Sequence, residues 1–257
     1  EEDGCRVEGL DEEPGHRVEL PSMEFGVVKR RTGVSNLNVF GFCQSSSAGS
    51  CLRGLLGSGA GAVFALLVSD RRGWLALGGP PPLASCPRVK RVPLVRPPPG
   101  MLNYYVVPVL EVNICAGSKK KKRVQMCQHA PKYAIVDTGS NMLSVSSPLL
   151  REMRSLGVSA VSFGKSIQLV LGTREAPLTL DYPQSEYCMG GELVVRDNLP
   201  FSDHDSVLLL GTLFMRHRYV EFDLENQTLG MTRLKGAVPC PASGCPAAVM
   251  RTVRPTS

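Results

Sequence analysis

Long apolar runs are scarce in this chain. The longest, Gly59 to Val68, is about half of the roughly 20 residues that a membrane helix needs, so no transmembrane segment is expected. The low hydrophobicity and high charge of a disordered protein are also absent. Of 257 residues, 43% are hydrophobic and 20% charged, enough for one large globular domain or two smaller ones. A coiled coil is excluded by 26 Gly and 20 Pro, which punctuate almost every stretch. The opening, Glu1-Glu2-Asp3-Gly4, has no initiator Met and no basic-then-apolar signal pattern, and reads as a cleaved or truncated start. Cys115, Cys127 and His129 lack the second half of a zinc site, so neither a metal nor another cofactor is expected.

What the chain does contain is unevenly charged. Residues 1–24 hold nine acids and two bases, a net −7, within a whole-chain charge of +6. The sharpest basic feature is Lys119 to Arg123, read as a solvated loop tip: no aromatic residue interleaves with it, and no nucleic-acid partner is expected. The nine cysteines are an odd number, which leaves one free or points to a missing partner. Cys43 and Cys51 bracket a Ser- and Gly-rich loop, and Cys240 and Cys245 bracket a Pro-Ala-Ser-Gly turn. This usage favours a secretory compartment over the cytosol.

Short β-rich segments dominate the pattern. Arg17 to Leu20, Phe25 to Val28 and Arg53 to Gly59 read as strands bounded by Gly or Pro. Ala60 to Ser69 reads as a short helix or a buried strand, and Arg72 to Gly79 as a hairpin-type strand. Residues 80–99 hold eight prolines, the mark of a stiff, extended linker. Beyond it, Tyr104 to Ile114 is β-branched and aromatic, with Pro108 requiring an edge or a bulge. Tyr133 to Val136 is a buried strand. Ser147 to Leu156 is a short helix with Ser147 as N-cap, Pro148 at the first helical position and Leu149, Leu150 and Met153 on one face. Ile167–Leu171, Leu178–Leu180, Leu193–Val195 and Ser206–Gly211 are further strands, and Phe214–Arg218 a helical turn. Tyr219 to Leu224 and Thr228 to Thr232 form a hairpin with alternating faces, before a Pro- and Ala-rich tail.

The segment that carries chemistry is Ile135-Val136-Asp137-Thr138-Gly139-Ser140. A carboxylate follows a buried strand at the entry to a tight turn. Gly139 lets the backbone bend close to it, and Thr138 and Ser140 supply hydroxyls. Such a carboxylate is well held for acid/base work.

Its company makes the segment specific. Leu209-Leu210-Gly211 follows downstream, then Phe214-Met215-Arg216, then Tyr219, Phe222, Asp223 and Gly230. In order and spacing this resembles the C-terminal lobe of a pepsin-like aspartic protease. There, an Asp-Thr/Ser-Gly segment and a later hydrophobic-hydrophobic-Gly segment form a psi-shaped loop. Upstream, Gly54 to Gly59, Phe64 to Ser69 and Trp74 to Gly79 resemble a Gly-rich strand, a short helix and a strand of the N-terminal lobe.

The resemblance implies a mainly β, bilobal pepsin-like fold of double-psi-type lobes with few short helices. It divides the chain into a partial first lobe (1–79), a Pro-rich connection (80–100), a second lobe (101–235) and a flexible tail (236–257). It implies an aspartic endopeptidase in which two carboxylates share one proton and act on a peptide or protein in an inter-lobe cleft. Asp137 would be one of the pair, oriented by Thr138 and Ser140, with Gly139 allowing close approach. Asp-Thr/Ser-Gly occurs once in the chain, so the resemblance puts the other aspartate and the flap before residue 1. Two further departures are Asp-Thr-Gly-Ser-Asn where Asp-Thr-Gly-Thr-Ser is usual, and Thr212 in place of a common Asp. A non-catalytic binding or inhibitor protein of the same fold, and a single-lobe protease completed by homodimerisation, are the other readings. The family's usual setting is the secretory pathway, in a lysosome- or vacuole-like or extracellular compartment.

Overall fold

A computed structural model describes residues 5–6, 63–68, 73–77, 89–96, 104–117, 123–161, 164–199 and 205–235. The expected strands at 17–20, 25–28 and 53–59, both short-range cysteine pairs, Lys119–Lys122 and the tail lie outside them. Among the described residues no helix is long and apolar enough to cross a membrane.

An eight-stranded sheet carries Asp137. Its strands are β5 (Tyr105–Ala116), β6 (Arg123–Met126), β7 (Tyr133–Val136), β8 (Leu143–Ser144), β9 (Lys165–Gly172), β10 (Pro177–Pro183), β13 (Val195–Arg196) and β14 (Val207–Leu210), in the order β10-β9-β5-β7-β14-β8-β13, with β6 also on β5. The six-stranded sheet runs β1 (Cys5–Arg6), β16 (Thr228–Lys235), β15 (Arg218–Asp223), β2 (Val63–Val68), β3 (Gly73–Leu77), with β4 (Lys90–Pro93) also on β16. A two-residue pair, β11 (Cys188–Met189) and β12 (Glu192–Leu193), completes the strands. The helices are α1 (Ser147–Ser155), α2 (Gln184–Tyr187) and α3 (Thr212–Met215).

The apolar runs in β5, β7 and β14 are continuous because these strands are covered on both faces. Tyr105, Val107, Ala134, Val136, Leu208 and Leu210 enter the large core. The intervening Val106, Ile135, Val207 and Leu209 enter a second cluster with Leu199. At roughly 1.5–3 kcal/mol for each fully buried Val, Leu or Ile, this double coverage fixes the register strongly.

β5 changes partner along its length, pairing with β7 from Tyr105 to Pro108 and with β9 from Val109 onward. Pro108 stands at the end of the β7 ladder, and the bulge lies between Val109 and Glu111, so the proline is accommodated as its missing N–H requires. The two sheets meet at Phe64, Tyr105 and Phe222. The rings of Phe64 and Phe222 stack at 4.4 Å, and Tyr105 tilts against Phe222 at 4.7 Å.

Four expectations are corrected. Val63–Val68 is a strand, not the helix implied by the resemblance at Phe64–Ser69, because it fills the place between β15 and β3. The Pro-rich stretch 80–99 contains a paired strand: Lys90–Pro93 bonds β16, with Pro93 in the last position. The N-cap of α1 is Ser146, one residue before the expected Ser147, with its hydroxyl accepting the Leu149 N–H at 3.4 Å. Leu149, Leu150 and Met153 do form the buried face. The strand from Arg218 has no alternation, for every residue from Arg218 to Asp223 is buried between β16 and β2.

That burial places charge inside. Arg218, 1% exposed, donates to Glu186 Oε2 (2.7 Å), Asp181 O (2.8 Å) and Arg216 O (2.9 Å), with its guanidinium 4.2 Å from the Tyr182 ring. Glu221 accepts from Arg91 at 2.6 Å and from the Tyr219 hydroxyl at 2.5 Å. Arg218, Glu186 and Glu221 are thus paired, as their desolvation demands, while Asp223 accepts the N–H groups of Glu225 and Asn226.

Candidate active site

β7 and β14 are parallel neighbours, from Val207 opposite Tyr133 to Leu210 opposite Val136. β8 lies antiparallel on the far side of β14, and β13 parallel to β8. The segment after Asp137 therefore leaves β7, turns and returns beside β14, which gives the psi-shaped crossing that the resemblance implied. The near end of β7 is fixed where the N–H groups of Lys132 and Tyr133 both donate to Ser206 O at 3.0 Å. The loop before it is tied to α1: Glu152 accepts the N–H groups of Gln128 (2.7 Å) and His129 (2.9 Å) and contacts His129 Nδ1 at 2.9 Å. Burial pushes the Glu152 carboxyl up, but these donors outweigh it and hold it below its ordinary value.

At the exit, the Asp137 N–H donates to Leu210 O at 3.0 Å, so the ladder runs as far as the catalytic candidate. The chain then turns, with the Ser140 N–H donating to Asp137 O at 3.4 Å. The Gly139 N–H donates to Asp137 Oδ1 at 2.8 Å. This fixes one carboxylate oxygen and leaves Oδ2 without a partner among the described residues. A Cβ at Gly139 would stand 3.1 Å from Oδ1, so glycine lets the turn close on the carboxylate.

The same turn is bound to the end of β14. The Gly211 N–H donates to Met142 O at 3.0 Å, and the Thr212 N–H to Ser140 O at 2.7 Å. A Cβ at Gly211 would lie 2.5 Å from Met142 O and 2.6 Å from both Met142 N and Ser140 O. Only glycine fits where these two segments touch.

The structure thus brings Asp137, Gly139 and Ser140 into one turn, with Asp137 and Ser140 half-buried and Thr138 and Gly139 exposed. The hydrogen bond seen on the Asp137 carboxylate comes from the Gly139 N–H. The Ser140 hydroxyl instead accepts the Met142 N–H at 3.5 Å. From the sequence, Asn141 and Thr212 read only as departures from the usual pattern, yet the Thr212 hydroxyl lies 3.1 Å from both Ser140 O and Asn141 Oδ1. Among the described residues, no group of three His, Cys, Asp or Glu side chains forms a metal site. Chemically, the turn holds one carboxylate rigidly at the end of a buried strand with one oxygen open, an arrangement suited to proton transfer.

No protein-family model matches the chain, and no curated protein matches it by sequence. Solved structures do. Basic 7S globulin from soybean aligns with 68% of this chain at a TM-score of 0.50 and 14% identity. The aspartic proteinase from Irpex lacteus aligns with 72% at a TM-score of 0.51 and 15% identity. The chain covers 51% and 61% of these two structures, respectively. At such identities the likeness is one of architecture: the chain has the mainly β fold of the pepsin-like aspartic proteinases.

Proposed function

We propose that the chain is part of an aspartic endopeptidase and that Asp137 is one of its two catalytic carboxylates. The observation that carries this reading is the carboxylate at the end of β7, fixed through Oδ1 by the Gly139 N–H within the parallel β7–β14 crossing. Paired with a second carboxylate, Asp137 would share one proton with it. One member would activate a water as general base, while the other would polarise the scissile carbonyl. Thr138, Gly139 and Ser140 form the turn that sets its position. The substrate would be a peptide or protein lying across the exposed Thr138–Gly139 edge. A secretory, lysosome- or vacuole-like or extracellular setting accompanies this reading.

A second reading, a binding protein that keeps the fold without catalysis, is favoured by one observation: Asp-Thr/Ser-Gly occurs only once in these 257 residues. Cleavage of a peptide library at acidic pH separates the two. It is run on this chain and on any longer form that carries a second Asp-Thr/Ser-Gly segment. The enzyme reading expects no cleavage by the 257 residues alone and statine-inhibited cleavage by the longer form, abolished in Asp137→Asn. An inert longer form that still binds peptides would establish the second reading.

A further inference from the structure

The Thr212 hydroxyl stands 3.1 Å from two oxygens, Ser140 O and Asn141 Oδ1. A threonine hydroxyl carries one proton, so it cannot donate to both. The two ends of the Asn141 amide have nearly the same shape, and turning it over resolves the conflict. Asn141 Nδ2 then donates to Thr212 Oγ1, and the hydroxyl proton is committed to Ser140 O. Ser140 O receives the Thr212 N–H as well, at 2.7 Å, and the Ser140 N–H closes on Asp137 O at 3.4 Å.

We propose that Asn141 and Thr212 are positioning residues for Asp137. They form a directed hydrogen-bond relay, Asn141 amide to Thr212 hydroxyl to Ser140 carbonyl, that holds the turn on which the Gly139 N–H meets the carboxylate. Donors in series polarise one another, so the doubly bonded Ser140 carbonyl is a stiffer anchor than the Thr212 N–H alone would make. The relay is built from residues on both sides of the crossing, Asn141 after β7 and Thr212 after β14. It therefore locks the turn to the sheet rather than to itself. The proposal rests on the reading of Asp137 as catalytic only for its significance. The geometry and its test do not require cleavage.

The test is amide hydrogen exchange, followed residue by residue by NMR on the 257-residue chain. The reporter is the Gly139 N–H, with Ile135 and Leu209 in the flanking strands as internal references. In Thr212→Val the relay is lost, and Gly139 is expected to exchange roughly fivefold faster, the equivalent of one net hydrogen bond. The strand references keep their rates. Thr212→Ser keeps the hydroxyl and restores the wild-type rate. Asn141→Asp is the sharper variant, for an ionised carboxylate has no proton to donate and would draw the hydroxyl away from Ser140 O. It is expected to speed Gly139 exchange at neutral pH and to return to wild type as the introduced carboxyl is protonated near its usual value of about 4. Unchanged Gly139 exchange in Asn141→Asp at neutral pH would overturn the proposal, as would a Thr212→Ser variant that fails to rescue. Acceleration shared equally by the strand references would reduce the pair to general packing and overturn it too. If Thr212→Val does not fold, the serine and aspartate variants decide alone. Because no outcome depends on proteolysis, failure of the protease reading and failure of the relay are told apart.

Discussion

Gly211→Ala should be among the most damaging single-methyl changes in the described part of the molecule. The added Cβ would meet three backbone atoms, Met142 O at 2.5 Å, Met142 N at 2.6 Å and Ser140 O at 2.6 Å. No side chain can swing away to relieve the clash, so the turn itself must move. That displacement breaks the Gly211 N–H bond to Met142 O and the Thr212 N–H bond to Ser140 O. Overpacking costs about 1–3 kcal/mol, and the two hydrogen bonds about 1 kcal/mol each. Against this, Gly211 has φ −83°, where alanine is unstrained, and its smaller unfolded-state entropy returns about 0.4–1 kcal/mol. The net expectation is a loss of about 3 kcal/mol. Guanidinium unfolding followed by circular dichroism reads it as a lower midpoint with an unchanged slope. Gly139→Ala is the internal control: its Cβ meets only the Asp137 carboxylate, at 3.1 Å and at the surface, so stability should fall by less than about 1 kcal/mol while the carboxylate shifts. A Gly211→Ala loss below about 1 kcal/mol, or one no larger than that of Gly139→Ala, would refute the steric argument.

Arg218→Met should cost about 3 kcal/mol in chemical denaturation, the lower end for a broken buried pair, because Arg233 still neutralises Glu186 at 2.6 Å. Adding Glu186→Gln should recover part of that loss. Ser146→Ala removes the α1 cap, and a bond of 3.4 Å puts the cost at about 0.5–1 kcal/mol, a fall in Tm of roughly 1–4 °C. Glu152 is held below 4.5 in the folded chain, so its contribution is present above that value and lost as pH falls through the lowered one. Glu152→Gln should therefore lower Tm at neutral pH, with the difference from wild type vanishing in acid. Burial pushes Tyr182 and Tyr187 up from 10.0 to about 12, so the fold accepts only their neutral forms: stability is full below pH 10 and is lost as pH rises toward about 12. Tyrosinate absorbance and loss of circular dichroism should rise together over that window.

The parts of the fold written locally were legible in the sequence. Tyr133–Val136 and Val207–Leu210 announce themselves as apolar runs ending at Asp137 and Gly211, and Pro108 announces an irregularity that became the partner change in β5. What depended on distant pairing was not. Phe64 reads equally as helix or strand until Phe222 stacks on it and β15 takes up the edge of β2. On sequence alone Arg218 falls in a helical turn and the strand from Tyr219 has alternating faces, and the burial of Arg218 and Glu221 became intelligible only with Glu186, Arg91 and Tyr219 in place. At the candidate site the carboxylate and its glycine were legible by type. The roles of Asn141 and Thr212 were not, since 71 positions separate two side chains that meet at 3.1 Å.

The hydrogen bonds from Arg91 to Glu221 join positions 130 residues apart, and β15 closes onto β2 across a still longer stretch of chain. A sheet assembled this way has a nascent-chain consequence. During synthesis β2 and β4 emerge long before β15 and β16, so β2 waits with only β3 beside it, and β4 waits for β16, until those strands leave the ribosome. Long loop closures of this kind slow folding and leave unpaired strand edges open to wrong neighbours. The eight-stranded sheet, whose strands all lie between Tyr105 and Leu210, has shorter waits. It can form first and offer Tyr105 as the surface onto which Phe64 and Phe222 later close.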